Sequence, residues 1–246
     1  RHPLTPKDGF SLTAAILTRL KPDLDLFILC NPNNPTGLTA EPALLRCVLE
    51  LCAQNKILLA VDECFNGFLA EPEKHTLRHD IPAYPNLLIL DAFTKIYAMA
   101  GVRLGYCLSG NAALLADMQS AGPPWAVSSL AQAAGIAALR EHDYLPAARA
   151  LIRAEKAFLL SGLQALGIKV LGSEANYIFF YTGRPHLAER LRERGILIRD
   201  CSNYAGLSAG YCRIAVRPHN DNAQLLDALS KLVCGPDRPR RCQTDD

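Results

Sequence analysis

The sequence predicts an α/β protein built on a mostly parallel sheet, and three observations predict it. Short apolar runs of strand length alternate with longer amphipathic stretches. The apolar runs lack polar alternation, as strands do when both faces of a sheet are covered. Polar residues able to do chemistry follow the ends of those runs, where open α/β sheets bind ligands.

Residues 24–30, 57–61, 87–91 and 104–108 read as buried strands. Between the first two, residues 41–54 read as a helix, with Leu44, Leu45, Val48 and Leu51 at three-to-four spacing. Pro123-Pro124 breaks the pattern before a helix at 128–141. A longer helix, 144–166, ends at Gly167, a candidate C-cap. A β-β-α-β-β-α order then follows over 169–171, 177–181, 186–194, 197–199, 212–216 and 223–232. The expected organisation is a large domain over 1–143, a connecting helix over 144–166 and a smaller α/β C-terminal domain over 167–234. The Pro-, Arg- and Asp-rich tail, 235–246, is expected to be disordered.

Composition narrows the function. The chain has 246 residues, with 26 basic and 24 acidic side chains spread along it, so there is no electrostatic footprint for nucleic acid or a membrane surface. No apolar run approaches the roughly 20 residues of a membrane span. Nine cysteines, several in apolar runs such as Phe27-Ile28-Leu29-Cys30, read as reduced, buried thiols of a cytoplasmic protein.

Three segments carry candidate chemistry. Asn31-Pro32-Asn33-Asn34-Pro35-Thr36-Gly37 is a rigid polar turn after the first strand; alone it is equally an ordinary βα loop. In Val61-Asp62-Glu63 an apolar strand runs into two carboxylates. Asp62 there calls for a cationic partner, or it caps the next turn. Asp91-Ala92-Phe93-Thr94-Lys95 ends a third strand, with Arg103 following. A lysine desolvated at such a place is a candidate Schiff-base former, and Thr94 and Arg103 could hold a phosphate, although a lone lysine is ordinarily a surface lysine. The order Asn34, Asp62, Lys95, Arg103, each at its own strand end, is what gives Lys95 meaning.

That order resembles the fold-type I pyridoxal-5′-phosphate enzymes of the class I/II aminotransferase family. The resemblance implies a three-layer large domain around a mostly parallel sheet, here incomplete, and a smaller α/β domain. It implies that Asn34 contacts cofactor and substrate and that Asp62 binds the pyridinium nitrogen. Lys95 is then the covalent anchor, with Thr94 and Arg103 on the cofactor phosphate. Arg213, in Cys212-Arg213-Ile214-Ala215-Val216, is similar to the family's arginine for the substrate α-carboxylate. Asp23-Leu24-Asp25, Thr94-Lys95-Ile96-Tyr97-Ala98, Pro124-Trp125-Ala126-Val127 and Ile198-Arg199-Asp200-Cys201-Ser202-Asn203-Tyr204 look like the threonine-phosphate decarboxylases of cobalamin synthesis, relatives of histidinol-phosphate aminotransferases.

The implied substrate is a small phosphorylated amino acid or amine, with Arg199 and Arg217 as candidate phosphate ligands, although each reads equally as half of a surface ion pair. Arg217 is expected on the same strand face as Arg213. Decarboxylation is the first expectation and transamination the second. A cofactor-sensing regulatory domain and an inactive fragment are further readings. The resemblance also implies a homodimer and no metal. Three departures stand out: Phe65 where the family has a hydrogen-bonding tyrosine, Ala92 where it has a phosphate-binding serine, and an opening third, ahead of Arg1, that this sequence does not contain. Tyr97 and Trp125 read as packing residues, and Asn176 and Tyr177 as either structural or facing the substrate.

Overall fold

The computed structural model describes residues 1–234; the expectation for the tail lies outside the described residues. The chain divides into two compact units. Unit 1 holds Arg1–Ala150 with Glu174–Asn176; of the described residues, unit 2 holds Leu151–Ser173 and 177–234.

Unit 1 is an α/β layer structure on a mostly parallel sheet. Its strands are β1 (Leu26–Cys30), β2 (Leu58–Asp62), β3 (Leu87–Ala92) and β4 (Gly105–Leu108), in that spatial order. The first three run parallel, with Cys30 opposite Asp62 and Asp62 opposite Leu90, so their C-terminal ends share one edge. Helix α1 (Pro42–Gln54) links β1 to β2, opening on a proline whose missing N–H costs nothing at a first turn. Leu45, Val48, Leu49 and Cys52 recur at helical spacing and are buried against Leu59, Val61, Leu87 and Ile89. Each fully buried aliphatic side chain contributes about 1.5–3 kcal/mol.

Two strand expectations need correcting. β4 pairs with β3 antiparallel. Neither β1 nor β4 is buried on both faces: Ile28 is 63% and Leu26 47% exposed, while Phe27 and Leu29 pack on the core. As an edge strand, β1 alternates exposed and covered side chains over Leu26–Leu29, while β4 exposes Gly105 and Tyr106 and half-buries Cys107 and Leu108. A one-turn helix, α2 (Phe93–Ile96), follows β3 directly. Helix α3 (Ala112–Ala121) was not expected, because none of its residues is buried and no apolar stripe marks it. Its signal is the cap: Asn111 Oδ1 accepts from the Leu114 amide at 3.1 Å. Ser128 caps α4 (Ser129–Arg140) in the same way, at 3.2 Å from the Ala131 amide. Helix α5 (Tyr144–Ala165) passes from unit 1 into unit 2.

Unit 2 carries an antiparallel sheet in the order β5 (Lys169–Gly172), β6 (Tyr177–Tyr181), β8 (Tyr211–Ala215), β7 (Arg199–Asp200). Helices α6 (Leu187–Arg192) and α7 (His219–Cys234) complete it. Ile178, Phe180 and Ile214 face Leu159 and Leu163 of α5 and Leu225 and Leu229 of α7. Gly162 lets α5 and α7 approach closely, since a Cβ there would lie 2.4 Å from Leu226. Arg217 falls beyond β8, not on it: the strand ends at Ala215 and the chain turns at Pro218.

Candidate active site

The sheet of unit 1 gathers the first set of predicted residues. Asn34 lies in the loop that leaves β1, half-buried, between two cis bonds, Asn31-Pro32 and Asn34-Pro35. Asn31 pins this loop: its Nδ2 donates to the His75 carbonyl at 2.8 Å and its Oδ1 accepts from the Ala40 amide at 2.8 Å. The Asn33 carbonyl takes the Gly37 amide at 2.7 Å, and Gly37 needs its positive φ of 70° to close the turn.

Asp62 is the last residue of β2 and Glu63 the next, so their side chains leave on opposite sides. Glu63 is completely buried and satisfied: Thr76 Oγ1 donates at 2.8 Å and Arg78 Nε at 2.9 Å. Burial pushes its carboxyl up, with Thr76 and Arg78 pulling the other way. Asp62 is only half-buried, and its carboxylate accepts the Cys64 amide at 3.0 Å. Among the described residues no arginine, lysine or histidine pairs with it. Of two adjacent carboxylates, the fold neutralises one and leaves the other for a cation from elsewhere. Burial, and then the nearby Asp62 carboxylate, push the Cys30 thiol up to about 11. Cys64 rises to about 12 from burial and its hydrogen bond to Asp62. Both stay protonated near neutral pH.

Thr94 and Lys95 lie in α2, immediately past the end of β3. Lys95 is exposed, not desolvated as expected, because no described element covers the outer side of that turn. Its amine has no hydrogen-bond or ion-pair partner among the described residues. Arg103 joins the same edge because β4 is antiparallel: Ala92 pairs with Gly105, so the chain entering β4 lies beside the end of β3. Its backbone is left-handed, φ 59°, and its Nη1 donates to the Ala100 carbonyl at 3.0 Å. The edge thus presents a carboxamide, an unpaired carboxylate, a hydroxyl, an amine and a guanidinium. This donor set fits a ring with a basic nitrogen, an aldehyde and a phosphate.

Unit 2 gathers two of its three predicted arginines. Arg199 on β7 and Arg213 on β8 are opposite one another, and like charges so placed repel unless something neutralises them. Arg213 lies over the Tyr177 ring at 5.0 Å. Arg199 lies over Tyr204 at 5.5 Å and donates to Asn203 Oδ1 at 2.9 Å. Burial raises the Cys201 thiol to about 11 while both guanidinium charges pull it down. Arg217 stands apart, its Nε 2.9 Å and Nη2 2.8 Å from Asp221 Oδ2.

The family profile described as aminotransferase class I and II matches residues 1–232. The chain belongs to that family. It is 38% identical over 238 residues to a threonine-phosphate decarboxylase of Salmonella typhimurium, covering 96% of this chain and 65% of the relative. It is 39% identical over 211 residues to a histidinol-phosphate aminotransferase of Symbiobacterium thermophilum, covering 85% of this chain and 56% of the relative. The crystal structure of the histidinol-phosphate aminotransferase from Clostridium acetobutylicum superposes with a TM-score of 0.87 at 27% identity, covering 92% of this chain and 69% of that one. The chain therefore spans less than two thirds of the length of the curated relatives it matches first. Pyridoxal phosphate is the cofactor of the family's aminotransferases and decarboxylases.

Two family departures have a visible setting. Phe65 is half-buried with its ring centroid 6.4 Å from that of Phe68, so it packs and offers no hydroxyl. Ala92 ends β3 and likewise gives no donor. Tyr97 packs as expected, stacked on Phe93 at 5.2 Å and on Tyr144 at 5.6 Å. Trp125 does not: it is 90% exposed, in the connection between α3 and α4. Asn176 has a buried Oδ1 without a partner among the described residues. The sequence reading missed the network of Glu63 with Arg78, Asp91 and Tyr106. Arg78 comes from a 3₁₀ turn, Arg78–Asp80, that no periodicity marks. The available signal was Asp91, a second carboxylate ending an apolar strand.

Proposed function

We propose that this chain is the larger part of a pyridoxal-phosphate enzyme acting on a small phosphorylated amino acid, with threonine-phosphate decarboxylation as the reaction. The observation that carries the reading is the shared strand edge, where no cation among the described residues pairs with Asp62 while adjacent Glu63 is neutralised. When bound, pyridoxal phosphate draws electrons from one bond at the substrate α-carbon. Lys95 would hold the cofactor covalently, and its amine is the group that would move a proton at that carbon. Asp62 Oδ holds a proton on the ring nitrogen. Arg103 and Thr94 hold the cofactor phosphate, the guanidinium offering two parallel donors. Asn34 orients the ring and the substrate from the loop after β1.

Arg213 would bind the substrate carboxylate and so orient the groups on the α-carbon. Arg199 takes the substrate phosphate, its guanidinium offering charge-assisted donors. Arg217 can join only by giving up Asp221. The near-equal identities to the decarboxylase and to the aminotransferase support histidinol-phosphate transamination as the second reading. A homodimer in the cytoplasm completes the proposal; among the described residues no helix is long and apolar enough to cross a membrane.

The test adds pyridoxal phosphate to the purified protein and follows the visible absorption of the lysine-bound cofactor, with Lys95→Ala beside it. A band in the wild type alone supports the reading, and equal behaviour sinks it. Carbon dioxide released from threonine phosphate then selects decarboxylation. Amino transfer from histidinol phosphate to 2-oxoglutarate selects the second reading.

A further inference from the structure

Behind the turn that carries Lys95 lies a closed polar network. Glu63, following β2, receives the Thr76 hydroxyl at 2.8 Å, the Leu77 amide at 3.3 Å and Arg78 Nε at 2.9 Å. The other arm of the same guanidinium, Nη2, donates to Asp91 Oδ2 on β3. That oxygen also accepts the Tyr106 hydroxyl of β4 at 2.8 Å, and Asp91 Oδ1 accepts the Ala92 amide at 2.6 Å. One guanidinium therefore ties the end of β2 to the end of β3, and Tyr106 adds β4.

The network reaches the turn itself. The Tyr106 ring meets Phe93 edge-on at 5.8 Å, and Phe93 stacks on Tyr97. Phe93, Ile96 and Tyr97 line one cleft with Arg78, Asp91 and Tyr106. Thr94 and Lys95 do not line it, as helical spacing requires of residues on the opposite side of a single turn. Every described contact of α2 with this network is thus on the face turned away from Lys95. On the outer face Lys95 is exposed and Thr94 half-buried.

We infer that Arg78 is a positioning residue: by joining Glu63 to Asp91, and through Asp91 holding Tyr106 against Phe93, it fixes the direction in which α2 leaves β3 and the point from which the Lys95 side chain starts. Its use rests on the reading of Lys95 as the cofactor anchor; the clamp itself does not. Lysine cannot replace it, since a single ammonium does not span two carboxylates as a planar fork does.

The test uses Arg78→Lys and Tyr106→Phe, the second removing one hydroxyl from a half-exposed ring and so folding even if the first does not. Amide hydrogen exchange is measured on the cofactor-free chain. Both variants are expected to speed exchange over residues 92–97 about tenfold, a local opening easier by about 1.4 kcal/mol, and to leave residues 45–52 of α1 unchanged. Borohydride trapping of pyridoxal phosphate on Lys95 is expected to slow by a similar factor. Exchange that is unchanged at 92–97, or that rises equally in α1, overturns the inference, as does faster local exchange with an unaltered trapping rate. A wild type that traps no pyridoxal phosphate sinks the functional reading alone, and the exchange measurement still decides the clamp.

Discussion

In unit 1 the candidate groups stand at strand ends or in the loops and turns beside them; in unit 2 Arg199 and Arg213 stand on the strands. Asp62, Lys95 and Arg103 are fixed by where β2, β3 and β4 stop or start, and their side chains make few bonds to the rest of the unit. Arg199 and Arg213 are held by a ladder, by aromatic rings and by Asn203. In the first case the backbone positions the chemistry and the side chain is dispensable to folding. In the second, one side chain serves packing and recognition together.

The sharpest break of this comparison is Asp62→Ala against Arg213→Ala. Asp62→Ala leaves the cofactor cation without its counter-charge, costing about 3 kcal/mol or more and over a hundredfold in kcat/KM. Its stability cost is held to about 1–2 kcal/mol, because only the bonds to the Cys64 amide and thiol are lost. Arg213→Ala is expected to lower kcat/KM by about tenfold to a hundredfold, chiefly through KM. It should also lower the melting temperature through the lost contact with Tyr177. Steady-state kinetics and thermal melts on both variants check this. A large stability loss for Asp62→Ala, or none for Arg213→Ala, breaks the distinction.

The same contrast governed what could be read without coordinates. The loop at Asn34, the carboxylate at Asp62 and the amine at Lys95 were legible because each follows an apolar run, and a run's end is visible in one dimension. Arg103 reaches the same edge only through the antiparallel direction of β4. That direction, and the exposure of Ile28, depend on which strands end up at the edges, which no local pattern records. Arg217 was misplaced onto a strand because alternation continues past Ala215 in sequence while the ladder stops there. Arg78 was invisible, since its partners lie 15 and 13 residues away with only irregular chain to one side.

A smaller effect sharpens the comparison through pH. Burial, reinforced by the Asp91 charge, raises the Tyr106 hydroxyl to about 12. The unfolded chain releases that proton first, near the ordinary value of about 10. The stability contributed by the Tyr106 bond is therefore complete below pH 10 and lost as pH rises through 12. Denaturation of wild type minus Tyr106→Phe should show a difference that shrinks across this window. Taking the difference removes the cysteines that titrate beside it, such as Cys64. A difference that is flat between pH 10 and 12 means that Asp91 does not hold this hydroxyl, and the tie between β3 and β4 falls.

The smallest expected effect separates the two arginines that sequence placed together. Arg217 and Asp221 form an exposed pair, with side chains 65% and 44% accessible, so water already solvates both. Arg217→Ala should cost no more than about 0.5 kcal/mol. With the guanidinium already committed to Asp221, KM for the phosphorylated substrate should change less than twofold. Arg199→Ala, in contrast, removes a charge facing Arg213 and should raise KM for the phosphorylated substrate about tenfold, the loss of one charge-assisted bond. It should leave KM for the same amino acid without its phosphate unchanged. Comparing the two substrates isolates the phosphate contact from any general disturbance of the sheet. Equal losses in the two variants would mean that Asp221 gives way to substrate and that the unit 2 ligands extend past the strands, which is the point at which the contrast with unit 1 would fail.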